Sequence, residues 1–139
     1  MKKLACVMLA LAAVAWLSVA TNAQIKKGKS RPALTKHLMS GLVRPNCAGL
    51  GDALKQPAPA DDKGWEDLAM KAALLNEVSY LLMDDGRCPD AVWAGAAKTL
   101  REGSTDVLAK IEAKDYAGAQ TAFQSVTKAC GECHKAHKK

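Results

Sequence analysis

The stretch DYAGAQTAFQSVTKACGECHKAH, residues 115–137, decides how the chain reads. Tyr116, Ala119, Phe123, Val126, Cys130, Cys133 and His137 step by threes and fours, which is the spacing of one helix face. Lys114-Asp115 opens this helix. Cys130, Cys133 and His134 stand at i, i+3 and i+4, so all three project from the same side, with the sulfurs about one turn apart.

Two cysteines so spaced and followed at once by histidine admit three chemistries. A dithiol redox centre normally sits at a helix start after a strand, where the dipole acidifies a thiol. Here the pair lies near a helix's C-terminal end, and no alternation of period two suggests a strand anywhere. A structural zinc wants four ligands, and beyond these three only His137 and some distant residue would remain to complete a set. The third chemistry, two thioether bonds along one edge of a haem with the adjacent imidazole on the iron, uses all three residues at this spacing. The motif favours one covalent haem c.

Working back along the chain, Asp90 to Lys110 reads as a helix weakened by Gly95 and Gly103. It is preceded by the turn DDGRCPD (84–90). Trp65, Leu68, Ala72, Leu75, Ser79 and Leu82 mark another helix ending near Met83, which Asp61 or Asp62 is placed to cap. From Pro32 to Lys55 the pattern is helical again, with an apolar stripe at Leu34, Leu38 and Leu42. Pro45 lacks the donor that an interior turn requires, so a break or kink is expected near 44–46. Four helices with short connections predict an all-α, antiparallel four-helix bundle, with the haem near the C-terminus of the last helix.

The beginning of the chain predicts export. Lys2 and Lys3 precede an uncharged run from Leu4 to Ala20, and small residues allow cleavage after Ala20 or Ala23. Residues 1–23 are read as a signal peptide, 24–30 as a flexible leader and 31–139 as the folded domain. No second apolar run follows, so no stable membrane insertion is expected after cleavage. The net charge of the whole chain is +6, much of it in Lys26, Lys27, Lys29, Arg31 and Lys135, Lys138, Lys139. With only Trp65, Trp93, Tyr80, Tyr116 and Phe123 left after cleavage, the chain is poor in the stacking aromatics of a single-strand binder, and no nucleic-acid role is expected. So few aromatics also leave Ala, Leu and Val to fill a small core, unless something large and flat is inserted.

With CGECHKAHK as its ending, the pattern over residues 31–139 resembles the class II c-type cytochromes: cytochrome c′ and its low-spin cytochrome c-556-like relatives. These are four-helix bundles with CxxCH near the C-terminus. The resemblance implies Cys130 and Cys133 as thioether positions and His134 as the proximal iron ligand. It also implies a basic residue, Lys138, close to the haem. Met39, in TKHLMSGL, stands where the low-spin relatives carry a distal iron ligand. The family's Arg-Gln pair upstream of that Met is replaced here by Thr35-Lys36-His37. His37 and Met39 lie roughly 200° apart on a helix, so only one of them faces a haem. Met39 is nearer the apolar stripe, which leaves His37 at the surface. Dimers among the relatives make a homodimer one of the expectations.

Cys47 and Cys88 are left over. In an oxidising compartment two spare thiols invite pairing, and a disulfide closing about 40 residues would contribute roughly 3–4 kcal/mol in the chain-entropy model. The expected function is that of a periplasmic carrier of single electrons, His/Met ligated, exchanging them with redox partner proteins. The alternative is a five-coordinate protein that binds nitric oxide or carbon monoxide. No paired acids, nucleophile or substrate pocket is legible, so no catalysed reaction is expected.

Overall fold

Pro45 does not break the first helix. In the computed structural model, which describes residues 27–138, helix α1 (35–53) runs as an α-segment Thr35–Leu38, a wider π-turn Met39–Val43 and a second α-segment Arg44–Ala53. Arg44 N–H reaches back to Met39 O, five residues away. Proline has no N–H to offer, and Asn46 Nδ2 donates to Leu42 O at 2.7 Å within the same stretch. The helix thus runs on through Pro45 with one extra residue in the turn before it.

The extra residue changes which side chains face inward. At about 100° per residue, Thr35 and Cys47 would be some 120° out of line in an ideal α-helix; one added residue brings them within about 20°. Thr35 and Val43 are buried and Met39 and Cys47 half-buried. Leu42, expected in the apolar stripe, is 36% exposed, whereas Leu38 is buried.

Three longer helices follow: α2 (Asp62–Met83), α3 (Ala91–Glu112) and α4 (Tyr116–His137). Each starts on an aspartate whose Oδ1 accepts a first-turn N–H: Asp61 from Gly64 at 2.8 Å, Asp90 from Trp93 at 2.9 Å and Asp115 from Gly118 at 2.8 Å. Such caps satisfy donors that the helix itself cannot. The α2–α3 turn passes through left-handed conformations at Asp85 (φ 59°) and Gly86 (φ 73°). The described residues form an all-α bundle of four helices, with α3 packed against both α2 and α4, and α1 packed against α2. Its core is aliphatic, built on Leu50, Leu68, Leu75, Val78, Val107, Ile111 and Val126.

Residues 27–30, expected to belong to a flexible leader, are tied down. Asp85 accepts from Ser30 N at 2.8 Å, Ser30 Oγ at 3.0 Å and Arg31 N at 2.9 Å, and Lys29 N donates to Asp85 O at 3.0 Å. Gly28 is buried so close to the Asp85 carboxylate that a Cβ would overlap it. Arg87, also buried, donates to Ala33 O at 2.7 Å and fixes the approach to α1. The expected signal peptide, 1–23, lies outside the described residues. Among the described residues no helix is long and apolar enough to cross a membrane.

Candidate functional site

Helices α1 and α4 meet at one end and part at the other. Where they meet, Tyr116 Oη shares its one proton between Ala53 O and Gln56 O, at 2.7 and 2.8 Å, and Gln120 Nε2 donates to Leu54 O at 2.7 Å. Phe123 packs beside Gly51, where even a Cβ would stand 3.0 Å from the ring. Beyond these contacts lies a cleft of about 460 Å³. Its α1 wall is formed by Thr35, Met39, Val43 and Cys47, with Lys36, Ser40, Arg44 and Ala48 beside them. The α4 wall carries Cys130, Cys133, His134 and His137, with Lys138 just past the helix end.

All five residues expected to hold the cofactor therefore line one cleft: Cys130, Cys133, His134, Met39 and Lys138. Ninety residues of chain separate Met39 from the CxxCH motif, and the bundle brings them together. His37 is exposed and its Nδ1 accepts Leu34 N at 3.3 Å, so it belongs to the start of α1 rather than to the cleft. His137 is buried against Trp93, with Nε2 3.4 Å from Asp90 Oδ1.

The disulfide expected between Cys47 and Cys88 is not formed; Cys47, Cys88, Cys130 and Cys133 are all free thiols. Because α1 continues through Pro45, Cys47 stays on the cleft face, lining the same cleft as Cys130. Cys88 sits in the α2–α3 turn, where its Sγ donates to Asp90 O at 3.4 Å.

The cleft's electrostatics follow from these contacts. Interaction with the Cys130 thiol lowers the Cys47 thiol to about 7, against the opposing effect of burial. The same contact, then burial, pushes Cys130 up. Cys133 is raised by burial and secondarily by the Asp90 carboxylate. Partial burial, then the Lys138 charge, depresses His134, which favours a neutral imidazole able to act as a metal ligand.

Four participants went unread in the sequence. Cys47 was assigned to a disulfide, and Trp93, Lys36 and Arg44 were given no role at the site. For the three on α1 the signal is the spacing of four along 35, 39, 43, 47 and along 36, 40, 44, 48, one row facing the cleft and the other its edge. Comparison with protein-family models, with curated proteins and with solved structures gives no match.

Proposed function

We propose that the cleft between α1 and α4 holds one covalent haem c and that the chain is an exported, periplasmic carrier of single electrons. The observation that carries this reading is the convergence of both CxxCH thiols, His134 and Met39 on one cleft. Its volume falls within the range of about 300–1,000 Å³ usual for cofactor pockets, and Val43, Ala48 and Trp93 supply apolar wall.

In this reading Cys130 and Cys133 supply the two sulfurs for thioether bonds, His134 the proximal imidazole and Met39 a distal thioether. When bound, the haem supplies one-electron chemistry at iron, and Met ligation raises its reduction potential. The chain's own contribution is burial and orientation. Lys36, Arg44 and Lys138 bring positive charge to the edge of the cleft, suited to porphyrin carboxylates. The short α2–α3 and α3–α4 connections suit an up-and-down, antiparallel arrangement. Redox proteins are the expected partners, and no catalysed reaction is assigned.

Visible spectra of the matured protein, oxidised and reduced, test the proposal. Expected are a low-spin c-type spectrum and, in the oxidised form, a sulfur-to-iron charge-transfer band that Met39→Ala abolishes. A high-spin ferrous spectrum that responds to carbon monoxide in the unaltered protein would replace electron transfer by gas binding. Colourless protein after export and maturation would overturn both.

A further inference from the structure

Cys47 has no place in the haem reading, yet it lines the same cleft as Cys130. The two arrive from different helices, 83 positions apart, one on each wall of the cleft, and each thiol shifts the other's titration. We propose that Cys47 and Cys130 form a disulfide in the haem-free chain, and that this bond and haem attachment compete for the same sulfur. The second half of the proposal rests on the haem reading; the first does not.

The chemistry requires a disulfide oxidant, such as oxidised glutathione or an exported thiol oxidase. Cys47, as thiolate, attacks one oxidant sulfur; that S–S bond breaks, and the other half leaves as a thiolate. Cys130 then attacks the Cys47 sulfur of the mixed disulfide and releases the second half. Two electrons and two protons pass from the pair to the oxidant, which becomes two thiols. A thiol with a pKa near ambient pH is well suited to the first attack, and the Cys130 contact lowers Cys47 into that range, to about 7. Cys47 also lines an open cleft, so an oxidant has access to it.

A thioether at Cys130 leaves no thiol there to oxidise, and a disulfide there leaves none to alkylate. Haem attachment to this chain would then need reduction of a bond that CxxCH alone does not create. Cys133 is the competitor within the motif, and Cys88 the competitor outside it.

The test uses the full mature chain produced without haem attachment. It is exposed to oxidised glutathione, alkylated and digested, and its peptides are mapped by mass spectrometry. The expected product joins Cys47 to Cys130, with Cys88 and Cys133 alkylated. A predominant Cys130–Cys133 or Cys47–Cys88 bond, or four alkylated thiols, would overturn the proposal. In maturing cells, added reductant should raise the haem-bearing fraction several-fold, and Cys47→Ser and Cys47→Ala should each shrink that dependence several-fold. Unchanged dependence in both variants refutes the competition. Because the mapping needs no haem, colourless protein with a Cys47–Cys130 bond defeats only the haem reading. Coloured protein with another pairing defeats only this one.

Discussion

The Trp93 indole stands edge-on to the His137 imidazole, with ring centroids 5.4 Å apart and planes at 76°. One aromatic side chain from α3 thereby supports the end of α4 where CxxCH sits. The same indole donates Nε1–H to Leu82 O at 2.8 Å, near the end of α2. Trp93 is 3% exposed and faces the cleft with its remaining edge. In a chain with so few aromatics, three helices and the site depend on this residue.

Replacing it separates packing from hydrogen bonding. Trp93→Phe keeps a ring but leaves the Leu82 carbonyl short of its donor, an expected loss of about 1–3 kcal/mol. Trp93→Ala should cost about 3–5 kcal/mol, since a large buried side chain is removed. Urea unfolding of the parent and both variants checks the order; Trp93→Phe as stable as the parent would mean that the indole N–H contributes nothing.

Two glycines in α3 should respond in opposite directions. A Cβ at Gly95 meets nothing within 4 Å, whereas one at Gly103 stands 3.2 Å from Val126 Cγ2 and 3.3 Å from the Val126 backbone nitrogen. Gly95→Ala should stabilise by about 0.5–1 kcal/mol through helix propensity. Gly103→Ala gains the same propensity but pushes α4 away from α3, and overpacking of this kind costs about 1–3 kcal/mol. Denaturant midpoints of the two variants should therefore fall on either side of the parent.

Much of the scaffold was legible because its signals are local. Asp61, Asp90 and Asp115 each cap a helix beside a recognisable apolar repeat, and the ends of α2 and α3 fall within two residues of the sequence reading. The misreadings concern nonlocal effects. Pro45 announces a missing donor, but whether the helix stops or runs on with an extra residue depends on what α1 must face. Cys47 and Cys88 were paired by elimination, which counts thiols without knowing the face of α1 that carries Cys47. Residues 27–30 have the composition of a loose tail, yet the acceptors that hold two of them belong to Asp85, more than fifty positions away.

That carboxylate makes the strap sensitive to acid. Partial desolvation pushes Asp85 up, but hydrogen bonds from Arg31 and Ser30, with the Arg87 charge, outweigh it and leave the group below its ordinary value. A depressed carboxyl favours the folded form above its unfolded pKa, and that benefit is lost as pH falls through the folded value. The strap should therefore hold at neutral pH and loosen below the usual carboxylate range. Asp85→Asn should loosen it at every pH, and asparagine tolerates the left-handed backbone at this position. Trypsin cleavage after Lys27 and Lys29 reports the change at neutral pH. Hydrogen exchange of the same segment follows it into acid, where an unchanged rate would count against the strap.

The widened turn in α1 can be tested by changing its residue count. Deleting Gly41 lets 39–43 close into ordinary α-helix; Thr35 and Cys47 are then eleven residues apart, which at about 100° per residue still leaves them within about 20° of one line. Leu38 stays in the core and Met39 on the cleft wall, so the deletion should be tolerated. Inserting one alanine after Gly41 instead rotates everything before it by about 100° relative to Cys47. Leu38 then turns out of the core and Met39 out of the cleft, and losing one buried leucine's contacts predicts a cost on the order of 2–5 kcal/mol. Gly41→Ala is the matched control: it keeps the residue count, and its Cβ meets nothing within 4 Å. It should be neutral or stabilising by about 0.4–1 kcal/mol. An insertion variant as stable as the control would mean that the register of α1 is unimportant. A destabilised insertion beside a tolerated deletion, both read from urea unfolding, would show that α1 is wound to keep Thr35, Met39, Val43 and Cys47 on one line.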